Sequence, residues 1–399
     1  MKEKLLFITR VTPSLQGAGV QLRCARHIMS LSKIFDVILV HLTHEPITLG
    51  EITSYCHKHQ NVVTHKQELQ MRPYLSSNFD AAYCAPSAME LCEIKEIIIK
   101  MEPALIFLFR LSTAKFILEK SLTELVSKEQ WILDLDDIES RANYRHVKAN
   151  YRDLGKVTTF KSILDVIKMR TLENNVLKRF GKVLICSYDD QALLNKRFNK
   201  KSFFVVPNVI SDVEPLSFGD HQKDILFVGT LSYSPNEQAA LYFCNEILPL
   251  INNQLEVPAS VRIVGFNPSE KILALSNEYV EVTGGVDSVK PYYRTAKIVV
   301  APILSGGGTR IKILEAMAYQ RAVVSSTIGA EGLGVKDGVN ILLADNAETF
   351  ACSVLKLIKS TQESEKISFN GLTLIEQKFT QNRLDDIYSR LLSSTRSVL

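Results

Sequence analysis

Between positions 298 and 333 the chain reads IVVAPILSGGGTRIKILEAMAYQRAVVSSTIGAEGL, and several of these residue types could act together on an anion. Gly306, Gly307 and Gly308 place no side chain between a ligand and the backbone. Thr309 reads as the N-cap of a helix that runs to about residue 319. The first amides of a helix lack internal partners, and the macrodipole puts partial positive charge there, so a phosphate fits. Arg310 and Lys312 add two cations to the first turn, where a cation is unfavourable unless an anion offsets it. Glu315 follows Lys312 by one turn on the same face, where its carboxylate could accept hydrogen bonds from sugar hydroxyls. Ile311, Ile313, Leu314, Ala316, Met317 and Ala318 make the helix apolar nearly all round. Three charges on such a helix need a partner. The bland alternative is a flexible loop with surface charges.

The elements around this loop are readable. Residues 298–301 are an apolar, β-branched run suited to a buried parallel strand, and Val323 and Val324 start the next strand. The unit is therefore βαβ. Neither GxxxxGK[ST] nor GxGxxG occurs here, which excludes two familiar phosphate loops.

Pro302, the GGGTRIKILEAMA run, Val323, Val324 and the segment Gly329, Ala330, Glu331, Gly332, Leu333 closely resemble the nucleotide-sugar loop of GT-B glycosyltransferases, in particular glycosyltransferase family 4. The segments PNV, FVGTLSYSPN, RIVG and VTGGV match the same family in the same order, so the resemblance covers essentially the second half and, more loosely, the first. It implies that Glu315 binds the donor ribose and that cations near the loop bind the diphosphate. Gly229 and Gly265, at the ends of FVG and RIVG, join Gly306, Gly307, Gly308 and Thr309 in the implied donor site. Two departures matter. The family's two-glutamate motif has another Glu eight positions before Glu315, where Gly307 stands. Many relatives also carry an Arg after the FVG glycine and a Lys shortly after; Thr230 and Leu231 stand here, leaving that charge to Arg310 and Lys312.

In the first half, residues 5–9 form a strand, followed by the loop PSLQGAGVQ and a helix over 20–31. A dinucleotide reading of Gly17 and Gly19 fails, because the third glycine position holds Leu22 and the second strand, 35–42, has no acidic residue at its end. The loop still lies at a strand's C-terminal end, where open α/β sheets bind ligands, so it is expected to face phosphate or acceptor; a simple loop is the alternative. The resemblance implies that it faces the donor diphosphate. WILDLDDIESR crowds Asp134, Asp136 and Asp137 at the end of an apolar strand. Three such carboxylates require a cation, a donor or a shifted pKa, unless Asp136 or Asp137 caps a helix. The resemblance places Asp136, or next Asp137, in the sugar pocket as a catalytic residue.

Residues 141–182 carry eleven Lys and Arg against Asp153, Asp165 and Glu173. A basic, partly amphipathic segment suits an anionic membrane surface or a phosphorylated acceptor, with a solvated helical face as the equal alternative. No nucleic-acid motif accompanies it. His41, His44, His57, His59 and His65 have no metal-ligand spacing, and no metal site is expected.

At 399 residues, 46% hydrophobic and 23% charged, the chain exceeds one ordinary core and suits two soluble domains. A net charge of +4 is too mild to imply nucleic acid, no apolar run reaches the ~18 residues of a membrane span, and the start MKEKLLFITRV is not a signal peptide. Seven scattered cysteines without CxxC favour reduced thiols and a cytoplasmic setting.

The expected fold is α/β, two Rossmann-like doubly wound parallel-sheet domains facing across a cleft: 1–210 for the acceptor, a linker at 211–222, 223–380 for the donor, and a helix at 381–399 that could return to the first domain. The expected function is metal-independent, retaining transfer of a sugar from a nucleoside diphosphate sugar to a hydroxyl acceptor, with no further cofactor. The acceptor would be lipid-linked or a polysaccharide of the envelope, such as capsule or lipopolysaccharide, with the protein cytoplasmic or peripheral on the inner face of the membrane. Two alternatives stay open: a non-catalytic nucleotide-sugar-binding subunit of the same fold, which Gly307 supports, and a nicotinamide oxidoreductase, which the absent fingerprint disfavours.

Overall fold

The computed structural model describes residues 2–43, 47–63, 86–151, 155–199, 201–210, 213–216 and 223–396. The chain divides into two compact units, 1–207 with 384–399, and 208–383.

The first unit is built on β1 (Lys4–Thr9), β2 (Asp36–Thr43), β3 (Lys58–Val63), β4 (Leu105–Phe109), β5 (Trp131–Asp134), β6 (Lys182–Ile185) and β7 (Phe203–Val205). They form one sheet in the order β3-β2-β1-β4-β5-β6-β7, every pair parallel. Leu5 to Ile8 and Leu105 to Phe109 are buried throughout, because helices cover both faces of a parallel sheet and its central strands must be apolar on both sides. The second unit repeats the plan with β8 (Lys223–Val228), β9 (Val261–Val264), β10 (Val280–Gly284), β11 (Ala296–Ala301), β12 (Ala322–Ser325) and β13 (Leu342–Leu343), in the order β10-β9-β8-β11-β12-β13. These pairs are also all parallel. Each sheet is doubly wound, and its order reverses beside its first strand. Ligands of such sheets bind where the order reverses, outside the strands' C-terminal ends. In the second unit that point lies between β8, which runs into Gly229, and β11, which runs into the glycine loop.

Several expected elements differ. The apolar spacing over 113–126 suggests one amphipathic helix, but the stretch is broken into Leu111–Ala114, a 3-10 turn Lys115–Leu118 and Lys120–Thr123. All residues from Leu111 to Ile117 are buried, so this stretch has no solvent face for a regular amphipathic helix to present. The pattern over 237–251 suggests a second amphipathic helix, which starts at Ser234 and passes through a π turn at Phe243–Ile247 into Leu248–Asn252. Pro249, which lacks an N–H, follows that π turn.

The second unit starts before the expected linker. Ile210 N donates to Phe379 O at 2.7 Å, and Ile210 bridges to Thr380. Leu216 is buried in the second core. Part of the expected linker, 211–212 and 217–222, lies outside the described residues. The last helix, Gln381–Arg396, packs within the first unit from Leu384 onward.

Candidate functional site

The glycine loop follows β11 and turns through Gly306 at φ 100° and Gly308 at φ 69°, which an L side chain strains to adopt. The helix spans Ile311–Ala318 and its N-cap is Arg310, not the expected Thr309. Thr309 instead accepts a hydrogen bond from Asn208 Nδ2, which ties the loop to the start of the unit. No side chain caps the helix, and its first turn holds no acidic residue. The Arg310 guanidinium turns back on its own loop. It donates to the Gly307 carbonyl, to Gly308 O at 2.7 Å and to Ser305 O at 3.4 Å. Arg310 therefore holds the loop's shape, and its charge stays beside Lys312.

The Lys312 amine donates to Asn236 Oδ1 at 2.7 Å and lies 4.8 Å from the centroid of the Phe227 ring. Its partner is an amide, not a carboxylate. Desolvation, with the Arg310 charge adding to it, pushes Lys312 down to about 7. Glu315 accepts from the Tyr293 hydroxyl at 3.3 Å, and that hydroxyl also lies 3.3 Å from Lys312 O. Desolvation pushes Glu315 up to about 7, against the lowering effects of Tyr293 and Lys312. The helix thus presents an amine and a carboxyl that each remain costly to charge.

The neighbouring strand ends are shaped to admit Lys312. A Cβ on Gly229 would lie 2.7 Å from Lys312 Nζ and 2.9 Å from Asn236 Nδ2, so a side chain here would have to displace the amine or the amide that holds it. A Cβ on Gly265 would lie 1.7 Å from the Gly229 carbonyl oxygen. The turns after β8 and β9 therefore meet backbone to backbone. Gly229, Gly265, Gly306, Gly307, Gly308, Thr309, Arg310, Lys312 and Glu315 all gather within the second unit. Asn236 and Tyr293 were not singled out from the sequence. Asn236 lies in the FVGTLSYSPN segment, which carried a signal; Tyr293 carried none.

In the first unit, two of the crowded carboxylates, Asp134 and Asp136, have cations beside them. Arg23 grips Asp134 with a fork, Nε to Oδ2 at 2.8 Å and Nη2 to Oδ1 at 2.6 Å. This pair and the neighbouring His27 hold Asp134 well below the usual carboxylate range despite its burial. His27 Nε2 lies 3.2 Å from Asp134 Oδ2, and its Nδ1 lies 2.6 Å from the Tyr388 hydroxyl. Burial is the largest influence on His27 and lowers its pKa. Asp136 sits at φ 61°, partly exposed, with Arg23 Nε at 3.5 Å and Arg110 Nε at 3.6 Å. Neither Asp136 nor Asp137 caps the following helix, whose N-cap is Ile138.

Gly17 and Gly19 stand at the start of the helix Gly19–Ile34, which carries Arg23 and His27. A Cβ on Gly17 would lie 2.4 Å from Gln21 Oε1, and that oxygen accepts from Ala18 N at 2.9 Å. Glycine here makes room for the helix's own cap. His41 is buried, with Nε2 3.4 Å from the Thr12 hydroxyl. His44 and His65 lie outside the described residues. Among the described residues, no group of three or more His, Cys, Asp or Glu could hold a metal ion.

Paired doubly wound sheets and a glycine loop at the second sheet's reversal point define a class. This is the GT-B fold of glycosyltransferases. Residues 222–360, most of the second unit, match the family model described as Glycosyl transferases group 1. Among solved structures, sucrose-phosphate synthase from Thermosynechococcus elongatus aligns with a TM-score of 0.73 at 14% identity, covering 100% of both chains. Anabaena HepE in complex with UDP-glucose aligns at 0.66 and 15% identity, over 98% of this chain and 100% of that one. A Klebsiella pneumoniae protein, described as an uncharacterized 44.6 kDa protein in the cps region, is 24% identical over 254 residues. That match spans 60% of this chain and 63% of the length of the curated relative.

Proposed function

We propose that this glycosyltransferase moves a sugar from a nucleoside diphosphate sugar to a hydroxyl acceptor, with retention of anomeric configuration. The observation that carries the reading is the Lys312 and Glu315 pair, desolvated and without a mutual ion pair, at the reversal point of the second sheet. As the glycosidic bond to the diphosphate breaks, the leaving group gains negative charge. Lys312 and the first helix amides stabilise it, while Arg310 fixes the loop they belong to. Glu315, braced by Tyr293, accepts from the ribose hydroxyls. Asp136, or next Asp137, is the first unit's candidate carboxylate for the acceptor. HepE's complex with UDP-glucose supports a UDP-sugar as the first donor to try. The relative in a cps region supports an acceptor in envelope polysaccharide or glycolipid assembly, and the proposed place of action is the inner face of the membrane. Among the described residues no helix is long and apolar enough to cross a membrane.

The test is a panel of nucleoside diphosphate sugars, assayed for hydrolysis and transfer. Turnover of one donor is expected, and it should persist in EDTA because Lys312 supplies the charge a metal would. Loss of turnover in EDTA with rescue by magnesium or manganese would overturn the metal-independent reading. Gly307, at the position of the motif's first Glu, favours a second reading as a binding subunit. Donor binding without turnover would select it.

A further inference from the structure

The helix Gly155–Leu177 has two apolar faces on opposite sides. One is buried in the first unit through Met169, Val176 and Leu177. The other carries Val157, Phe160, Leu164 and Ile167, spaced three, four and three residues apart, with Ile163 beside them. At about 100° per residue, Phe160 points about 180° away from Met169. Val157 is 71% exposed, Phe160 62% and Ile167 55%, too much contiguous apolar surface for a merely solvated helix. Lys161 and Lys168 flank the stripe on one side, Arg170 flanks it on the other, and Lys156 lies at its start. The nearby carboxylate, Asp165, already lies 3.5 Å from Lys168. The adjoining helix Glu139–Asn150 adds exposed Tyr144, with Tyr151 following it.

We propose that this helix lies in the plane of an anionic lipid bilayer, with Val157, Phe160, Leu164 and Ile167 inserted at the headgroup boundary and the flanking Lys and Arg on the lipid charges. An apolar stripe edged by cations is the pattern of an interfacial helix, which binds by buried apolar area and by attraction to anionic lipid together. A second copy of the chain fits worse, since two such faces would bring the flanking cations against each other. The attachment therefore has a salt-resistant apolar part beside the salt-sensitive part that charge alone supplies.

The experiment is flotation of the full chain with phosphatidylglycerol/phosphatidylcholine vesicles and with pure phosphatidylcholine vesicles, at about 0.1 M and about 1 M salt. Wild type is expected to float with the anionic vesicles at both salts. Phe160→Ser/Ile167→Ser should lose roughly tenfold or more in partitioning at both salts. Lys156→Glu/Lys161→Glu should lose only the low-salt excess. All four positions are exposed, so thermal unfolding should match wild type, and a tryptophan at Phe160→Trp should shift to the blue on anionic vesicles. Wild type that ignores anionic vesicles at low salt, or an apolar variant that floats as wild type does, would overturn the proposal. So would concentration-dependent dimers in wild type, without lipid, that the apolar variant abolishes, since these assign the stripe to a second copy. No readout needs a donor or turnover, so its failure and that of the glycosyl-transfer reading stay distinguishable.

Discussion

In the first unit Arg23 holds Asp134 with hydrogen bonds of 2.6 and 2.8 Å, and Asp134 stays ionised in a fully buried place. In the second unit Lys312 and Glu315 lie one turn apart on one helix, and desolvation drives both towards 7. The residue types are much the same and the outcomes are opposite. The first pair offsets its own desolvation by geometry, so it has nothing left to offer a ligand. In the second pair the amine leans on an amide and the carboxyl on a phenol, so a bound diphosphate and ribose would relieve both. Crowded charge in a sequence is thus weaker guidance than crowded charge that the fold leaves poorly matched.

Breaking the first pair should give the largest effect. Arg23→Ala or Asp134→Ala leaves a buried charge alone and should destabilise the first unit by roughly 3–5 kcal/mol. Denaturant unfolding measures this, and a loss below about 1 kcal/mol would mean the fork does not hold the unit. Lys312→Met should do the reverse: donor use falls by roughly 1.5–3 kcal/mol in kcat/KM while the melting temperature holds or rises, because a desolvated cation is removed. Glu315→Ala should weaken donor use comparably. Wild-type turnover in both folded variants would remove this helix from the mechanism. Arg310→Ala loses its hydrogen bonds to the loop carbonyls, and a rise in donor KM worth about 1 kcal/mol is expected, with the fold intact.

The least direct effect is the pH dependence of stability. Glu315 holds its proton in the folded state up to about 7, against 4.5 for a free carboxyl, so its contribution falls as pH rises through that window. Lys312 has already lost its proton above about 7, against 10.5 when free, so its contribution rises from about 7 to 10.5. Together they give a minimum near neutrality in a melting series. Glu315→Gln should flatten the lower limb and Lys312→Met the upper. Donor affinity should weaken above about pH 7 in wild type and not in Lys312→Met.

The two regions were not equally legible. The glycine loop, its helix and Glu315 lie within ten residues of one another, so spacing alone reveals them. The partners of Asp134 stand 111 residues away at Arg23 and a similar distance away at His27, whose own partner Tyr388 is 361 residues beyond it, and no local pattern joins positions that only the fold brings together. DLDD called for a cation, a donor or a shifted pKa, or a helix to cap, without saying which. The helix Gly155–Leu177 failed for another reason. Its two apolar faces oppose each other, so their periodic signals cancel and only the basic residues stood out. Thr309 was read as an N-cap from its residue type, but its hydroxyl was already engaged by Asn208, across a separation of 101 residues.

The contact between Tyr388 and His27 constrains how the chain can be born. Both side chains are fully buried, and 361 residues separate them. A ribosome adding about 5–20 residues per second needs on the order of tens of seconds to cover that interval. Once Val205 has emerged the first sheet is complete, yet for the rest of that interval the ring that seals His27 beside Asp134 has not been made. The amino-terminal unit therefore finishes folding only after the carboxy-terminal unit has been synthesised. A nascent chain stalled before Leu384 leaves the first unit unsealed, a ready substrate for chaperones and proteases.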